Sequence, residues 1–277
     1  MTNLKWVPII VLAADIVRSY ETGVTLRQLF YQLVAASVIP NKGSAYDTLS
    51  ARTSDARREG WFPRLVDRTR SIHRPLYFDG PDDARDWMHS VYLRDRTEGQ
   101  PWAIYVGVEK DALSALLERW LDPYGIPVLV FRGWSSTTYL MDIEDEVDRE
   151  DRPTVLLYLG DLDPAGEGIE AEIAERIPFD EIRRIGLTLD QARELQLPEN
   201  TEVLCERETP SRRCCKLHHT PGRIPFMEKY GRLFQIEVDA IPPETLQTML
   251  MDAVSELMDT SAYEAVLARE AEDREAL

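Results

Sequence analysis

The stretch Val155 to Ile169 constrains the rest of the chain more than any other. Val155, Leu156, Leu157, Tyr158 and Leu159 form an unbroken apolar run rich in β-formers, which reads as a strand buried on both faces of a parallel sheet. The chain then turns through Gly160. Pro164 suits the first position of a helix and Asp163 its N-cap, and Ile169, Ile173, Ala174 and Ile177 continue with helical spacing. Asp161 and Asp163 therefore sit at the carboxyl end of a strand, where open α/β sheets bind ligands. On a tight turn, two carboxylates two residues apart can converge on one hard cation such as Mg²⁺.

The flanking sequence repeats the pattern. Ala103 to Val108 reads as a strand ending at Glu109, followed by a helix through Ala112, Leu113, Leu116, Leu117 and Trp120. Pro127 to Phe131 is a second strand, with a helix capped by Ser135 or Ser136 after it, and Ile182 to Leu187 a fourth strand. Strands separated by helices of this length imply a parallel sheet. Its carboxyl edge would carry Glu109, Asp161 and Asp163 together, a set of oxygen donors suited to Mg²⁺ or Mn²⁺. Residues 198–232 read as irregular and basic; Cys205, Cys214, Cys215, His218 and His219 fall there, at spacings that match no common zinc module. Phe234 to Val238 alternates like a strand, helices follow from Pro243 and about Ser261, and the charged end from Arg269 is expected to fray.

Before the sheet, three short helices are expected: residues 6–20, Leu26 to about Ala36 behind a capping box at Thr25, and Ala45 to Glu59 capped by Ser44 and closed by Gly60. A tight turn before the third helix is the pattern of a helix-turn-helix or winged-helix module. Trp61 to Pro63 and Leu76 to Phe78 would then supply hinge and wing. Arg52, Arg57, Arg58, Arg64, Arg68, Arg70 and Arg74 lie on or after the third helix. The net charge of the 277-residue chain is −17, which by itself argues against nucleic acid. Yet residues 1–78 hold eleven Lys and Arg against six Asp and Glu, a balance of +5, which leaves −22 for the remainder. Such asymmetry points to a basic binding module on an acidic body, and the helix-turn-helix pattern to double-stranded DNA, whose major groove the third helix can enter. Residues 1–80 form this module, 81–101 a linker whose helix spans 82–97, and 102–277 the sheet domain with a helical extension. Three cysteines and no apolar run long enough for a membrane span or signal peptide point to a reducing, cytoplasmic setting close to the nucleoid.

These motifs resemble a family. Val108-Glu109-Lys110 and Gly160-Asp161-Leu162-Asp163-Pro164-Ala165-Gly166 are similar to the two acidic motifs of a Toprim domain, in the form found in the topoisomerase VI A subunit and the related meiotic double-strand-break transesterase. Arg27-Gln28-Leu29-Phe30-Tyr31 resembles the Arg-x-x-(Tyr/Phe)-Tyr motif of that family's winged helix. The resemblance covers most of residues 25–190, and the short length suggests the stand-alone "mini-A" type. It implies an α/β chain with a winged helix followed by a Rossmann-like Toprim domain. It further implies Tyr31 as the nucleophile that cuts DNA, Arg27 beside it, and Mg²⁺ on Glu109, Asp161 and Asp163. Arg27 lies one helical turn before Tyr31 and can stabilise a phenolate.

The resemblance also implies a homodimer in which Tyr31 of one chain faces the carboxylates of the other. The family's long amino-terminal extension is nearly absent, and no phosphate-cradling Gly-x-x-x-x-Gly-Lys-(Ser/Thr) loop is present. Strand passage would thus need a separate GHKL-type ATPase subunit. Other readings remain: a Toprim nuclease that uses water, with Tyr31 structural; a DNA-binding scaffold that does not cut; or a haloacid-dehalogenase-like phosphatase. The last expects Thr or Val where Ala165 stands and leaves the basic module unexplained.

Overall fold

The structure is a computed structural model that describes residues 5–20, 23–66, 75–131, 137–200, 217 and 220–277. Four parallel strands, β1 (Ala103–Val108), β2 (Val128–Val130), β3 (Thr154–Leu159) and β4 (Glu181–Gly186), form one sheet in the order β2-β1-β3-β4. The protein is therefore an α/β protein. Central β1 and β3 are buried at every position, whereas β2 and β4 are half-buried edges. This explains why the unbroken apolar runs belong to β1 and β3, while β4 carries Arg183 and Arg184.

Alternation along the strands builds two cores. Ile104, Val106, Val108, Val155, Leu157 and Leu159 face α5 (Asp111–Leu121) and α10 (Pro243–Ser255). Ala103, Tyr105, Leu156 and Tyr158 face α6 (Thr137–Val147) and α7 (Pro164–Arg176). Full burial of a side chain such as Leu157 is worth roughly 1.5–3 kcal/mol, and such residues hold the strand ends in fixed register. From β1 the chain moves outward to β2, then crosses to the other side of β1 to enter β3. The direction of travel reverses between β1 and β3, where Val108 pairs with Leu159, and a crevice opens at such a switch point.

A third core belongs to α1 (Trp6–Ser19), α2 (Leu26–Ala35) and α3 (Gly43–Arg58), with Ala13, Leu29, Leu33 and Leu49 at its centre. The Thr25 capping box forms as expected, with Thr25 and Gln28 bonding each other's backbone N–H. Gly60 closes α3 at φ +83°, a conformation natural to glycine. The cap at the other end of α3 differs from expectation: the helix begins at Gly43 and Lys42 is the N-cap, without a side-chain bond. Among the described residues no strand lies in this module, so Leu76 to Phe78 are not seen as a wing. Phe78 instead packs its ring against Trp87 of α4 (Pro81–Val91), 5.5 Å between centroids.

Other boundaries differ too. The linking helix stops at Val91 rather than reaching 97, because Arg94 and Arg96 turn to meet α11 (Thr260–Ala276). There Glu270, 3% exposed, accepts from the Arg94 backbone and pairs with Arg96 at 2.8 Å, and Arg94 binds Asp273. These pairs hold the carboxyl-terminal segment helical to Ala276, where charge alone had suggested fraying. Within the segment read as irregular, Arg223–Tyr230 form α9. Two positive-φ glycines, Gly222 and Gly231, flank it. Between β4 and this segment lies α8 (Leu189–Glu194). Ser135, Ser136, Cys205, Cys214, Cys215, His218 and His219 lie outside the described residues. Among the described residues no helix is long and apolar enough to cross a membrane.

Candidate active site

The site assembles at the switch point. Glu109 follows β1 directly, and its backbone N–H donates to Leu159 O at 3.1 Å. The adjacent strand end thereby places the Gly160–Asp161 turn beside the Glu109 side chain. Glu109 Oε2 accepts from the Asp161 N–H at 3.1 Å. Asp163 caps α7 as its sequence position implied: Oδ1 accepts from Ala165 N and Gly166 N, both at 2.8 Å. Gly166 is required here, because a Cβ would lie 2.3 Å from the Asp161 carbonyl oxygen and 3.0 Å from Glu109 Oε2. Arg184 of β4 braces the turn from outside, with Nη2 donating to Asp161 O at 2.6 Å and Gly160 O at 3.1 Å.

The residues that sequence reasoning missed come from 234–239. Leu162 and Ile236 exchange backbone hydrogen bonds at 2.9 and 3.1 Å. The segment is thus a single antiparallel bridge laid along the Asp161–Asp163 turn, not a full strand. Phe234, Ile236 and Val238 enter the core, while the intervening residues face the site. Gln235 Nε2 donates to Asp163 Oδ2 at 2.6 Å, and the Val238 N–H donates to Asp161 Oδ1 at 2.9 Å. Glu237 meets Lys110, whose Nζ also lies 2.7 Å from Asp161 Oδ2. The alternating pattern from Phe234 to Val238 was the signal for these polar positions.

Arg27 and Tyr31 reach the same cluster from α2. Arg27 Nη2 lies 3.5 Å from both Tyr31 Oη and Glu237 Oε2, so the guanidinium links the phenol to the carboxylate. Gln32 Nε2 donates to Ile241 O at 3.3 Å, so α2 is seated on the 3₁₀ turn at Val238–Ala240 and the residue after it. Tyr31, expected to face a second chain, here meets groups of its own chain. A continuous polar path runs within one chain from Tyr31 through Arg27, Glu237 and Lys110 to Asp161.

Burial dominates the electrostatics. It pushes the carboxyls of Asp161 and Asp163 above the usual range; Glu109 is raised by burial and then by the charge of Asp163. Burial alone would lower the Lys110 ammonium, but the Asp161 and Glu237 carboxylates hold it well above its ordinary value. Lys110 and Arg27 keep Glu237 below the carboxylate range against its own burial. Asp239 is buried with neither oxygen bonded, and burial pushes it up to about 7. Tyr31 is raised by burial and then by Glu237, which together outweigh Arg27. The expected stabilisation of a phenolate by Arg27 is present but loses, and the resting phenol is neutral.

Glu109, Asp161 and Asp163 thus lie at neighbouring strand ends, the two aspartates buried, yet no three His, Cys, Asp or Glu side chains are grouped as a metal site among the described residues. Asp161 Oδ2 faces the Lys110 ammonium, and both Asp163 oxygens are hydrogen-bonded. The donor chemistry fits a hard divalent cation, and so does the crowding of like charge that raises Glu109. In the geometry seen, Lys110 supplies the positive charge. Of the basic residues on and after α3, Arg52, Arg58 and Arg64 are exposed and Arg57 half-exposed, while Arg68, Arg70 and Arg74 lie outside the described residues. Arg57 Nε donates to Thr53 O, and Arg58 lies 3.6 Å from Asp55, an exposed pair of little energetic weight. If this face binds DNA, Arg57→Ala with Arg58→Ala lowers affinity and makes the salt dependence of log K shallower by roughly two units. Fluorescence anisotropy across a salt series reads both; an unchanged slope places the DNA elsewhere.

No protein-family model, curated protein or solved structure matches the chain.

Proposed function

We propose that the chain is a type IIB topoisomerase A-subunit-like, DNA-cleaving transesterase, built as a winged-helix module on a Toprim-type sheet domain. The observation that carries this reading is the polar path from Tyr31 to Asp161. A candidate nucleophile on a basic helical module lies against the carboxylate-bearing edge of a parallel sheet at its switch point. In the proposed reaction the Tyr31 oxygen attacks a DNA phosphorus and the bond to the 3′ oxygen breaks. The phenol loses its proton, the leaving 3′ oxygen gains one, and a 5′-phosphotyrosyl link remains. Arg27 holds the phosphate beside the attacking oxygen, and burial of the site strengthens that contact. Mg²⁺ held by Glu109, Asp161 and Asp163 would supply neutralisation of phosphate charge. A homodimer with one site per chain would cut both strands, and strand passage would need a separate ATPase subunit.

The near-complete burial of Tyr31, 8% exposed, favours a second reading, in which the tyrosine is structural and water is the nucleophile. Supercoiled plasmid incubated with Mg²⁺, then treated with detergent and protease, separates the two. Transesterification is expected to give protein-linked breaks that vanish in Tyr31→Phe. Free-ended breaks that persist in Tyr31→Phe identify a nuclease, and plasmid that is bound but uncut identifies a scaffold.

A further inference from the structure

Three donors of different kinds converge on the Glu237 carboxylate. Arg27 approaches Oε2 at 3.5 Å, the Lys110 ammonium pairs with the same oxygen, and the Tyr31 hydroxyl, 3.5 Å from the same Arg27 nitrogen, lies within reach of the carboxylate's charge. Glu237 belongs neither to α2 nor to the strands; it rides on the short bridge at 234–238 and is 5% exposed. A guanidinium, an ammonium and a phenol gathered around one anionic group are the donor set of an oxyanion site for phosphate. Here a carboxylate of the chain itself fills it. Two features keep such a site usable once that carboxylate withdraws. Lys110 stays anchored through Asp161 at 2.7 Å, and the Arg27 side chain is 51% exposed, so one side opens to solvent.

We propose that Arg27, Lys110 and Tyr31 form a phosphate-oxyanion site that Glu237 occupies as an internal surrogate, so that a DNA phosphodiester enters by displacing Glu237. The substrate part of this inference rests on the DNA-cleaving reading; the anion site itself does not. The charges explain the need for displacement. Arg27 and Lys110 carry two positive charges against the carboxyls of Asp161 and Glu237, with those of Asp239, Glu109 and Asp163 close by. A phosphate added to this set meets no net attraction, whereas one that replaces Glu237 inherits all three donors. The same contacts account for the burial of Tyr31: the carboxylate that takes the phosphate's place also covers the phenol.

The test is calorimetric titration of the full chain with inorganic phosphate, in buffer free of divalent metal. Glu237→Gln keeps the shape and removes the charge, and is expected to bind phosphate at least about tenfold more tightly than wild type, the scale of one charge-assisted contact. Arg27→Gln added to that variant is expected to abolish the gain. Unchanged or weaker phosphate binding by Glu237→Gln overturns the proposal, as does a gain that survives the loss of Arg27. Circular dichroism establishes that the variant is folded. If it is not, wild type and Arg27→Gln are compared on a short duplex, where a loss of about tenfold supports the site and equal affinity overturns it. No cleavage enters the phosphate titration. A tyrosine that never attacks DNA leaves its result standing, and an unchanged phosphate affinity leaves the transesterase reading standing.

Discussion

A mixture of Tyr31→Phe protein and Asp161→Ala protein is expected to leave supercoiled plasmid uncut under conditions in which wild type cleaves it. The reason is geometric. Tyr31 and Glu237 both meet Arg27 at 3.5 Å, Glu237 pairs with Lys110, and Lys110 lies 2.7 Å from Asp161, all within one chain. One parent lacks the tyrosine and the other lacks the carboxylate. With each site complete in a single chain, no pairing of these two parents brings both groups together. A dimer whose sites are shared between chains behaves oppositely, since one hybrid site regains both groups and nicks the plasmid. The difference is all-or-none, which makes it the sharpest measurement on the assembly. Formation of mixed dimers is verified with differently tagged parents. Restored nicking would show that α2 leaves its own sheet domain and serves a partner, and would overturn the single-chain path. The family resemblance alone implies that shared arrangement; the contacts of α2 with Ile241 and with Glu237 argue against it.

What was legible in the sequence and what was not divides along a physical line. The core of the sheet was readable because burial leaves a one-dimensional trace. Val155 to Leu159 is apolar at every position because both faces of β3 are covered, and Glu109 and Asp161 are placed by where such runs stop. Asp163 was readable because a helix N-cap followed by Pro164 is a local rule. The partners of these carboxylates were not readable, since they arrive from 72–77 residues away through a bridge of one residue pair. No local propensity encodes that Gln235 lands on Asp163 or the Val238 N–H on Asp161. The alternation from Phe234 to Val238 was visible, but it gives the period and not the neighbour. Lys110 shows the same limit. Next to Glu109 it looks like an acidic motif's flanking cation, and only the fold reveals that it neutralises Asp161 and Glu237 instead of facing solvent. The ends of α4 and α11 were misjudged for a related reason. A charge-rich sequence is expected to fray unless its charges find partners, and Arg94, Arg96, Glu270 and Asp273 find one another across more than 170 residues.

That role of Lys110 leads to the second large effect. Lys110→Met is expected to destabilise the protein by about 3–5 kcal/mol at neutral pH, the usual cost of removing one partner from a buried ion pair. Its side chain is 13% exposed, and the two carboxylates it serves are more deeply buried, at 2% and 6%. Methionine keeps most of the volume and none of the charge, so packing changes little and the loss measures electrostatics. The effect should depend on pH in a definite direction. Without the ammonium, burial is expected to outweigh what remains, Arg27 beside Glu237 and the Val238 N–H on Asp161, and to raise both folded-state pKa values above those of the unfolded chain. A carboxyl whose folded pKa is raised contributes stability that is fully present below its unfolded pKa and is lost as pH rises through the folded pKa. Glu237 is the more telling of the two, because in wild type Lys110 and Arg27 hold it below the ordinary range. There it contributes stability in the opposite sense, present above its unfolded pKa and lost on acidification. The deficit of Lys110→Met relative to wild type should therefore grow from pH 5 to pH 8. Urea unfolding of both proteins at the two pH values gives the comparison directly. A deficit that is the same at both, or smaller at pH 8, means that Lys110 stabilises through packing and that the carboxylates it touches do not need its charge.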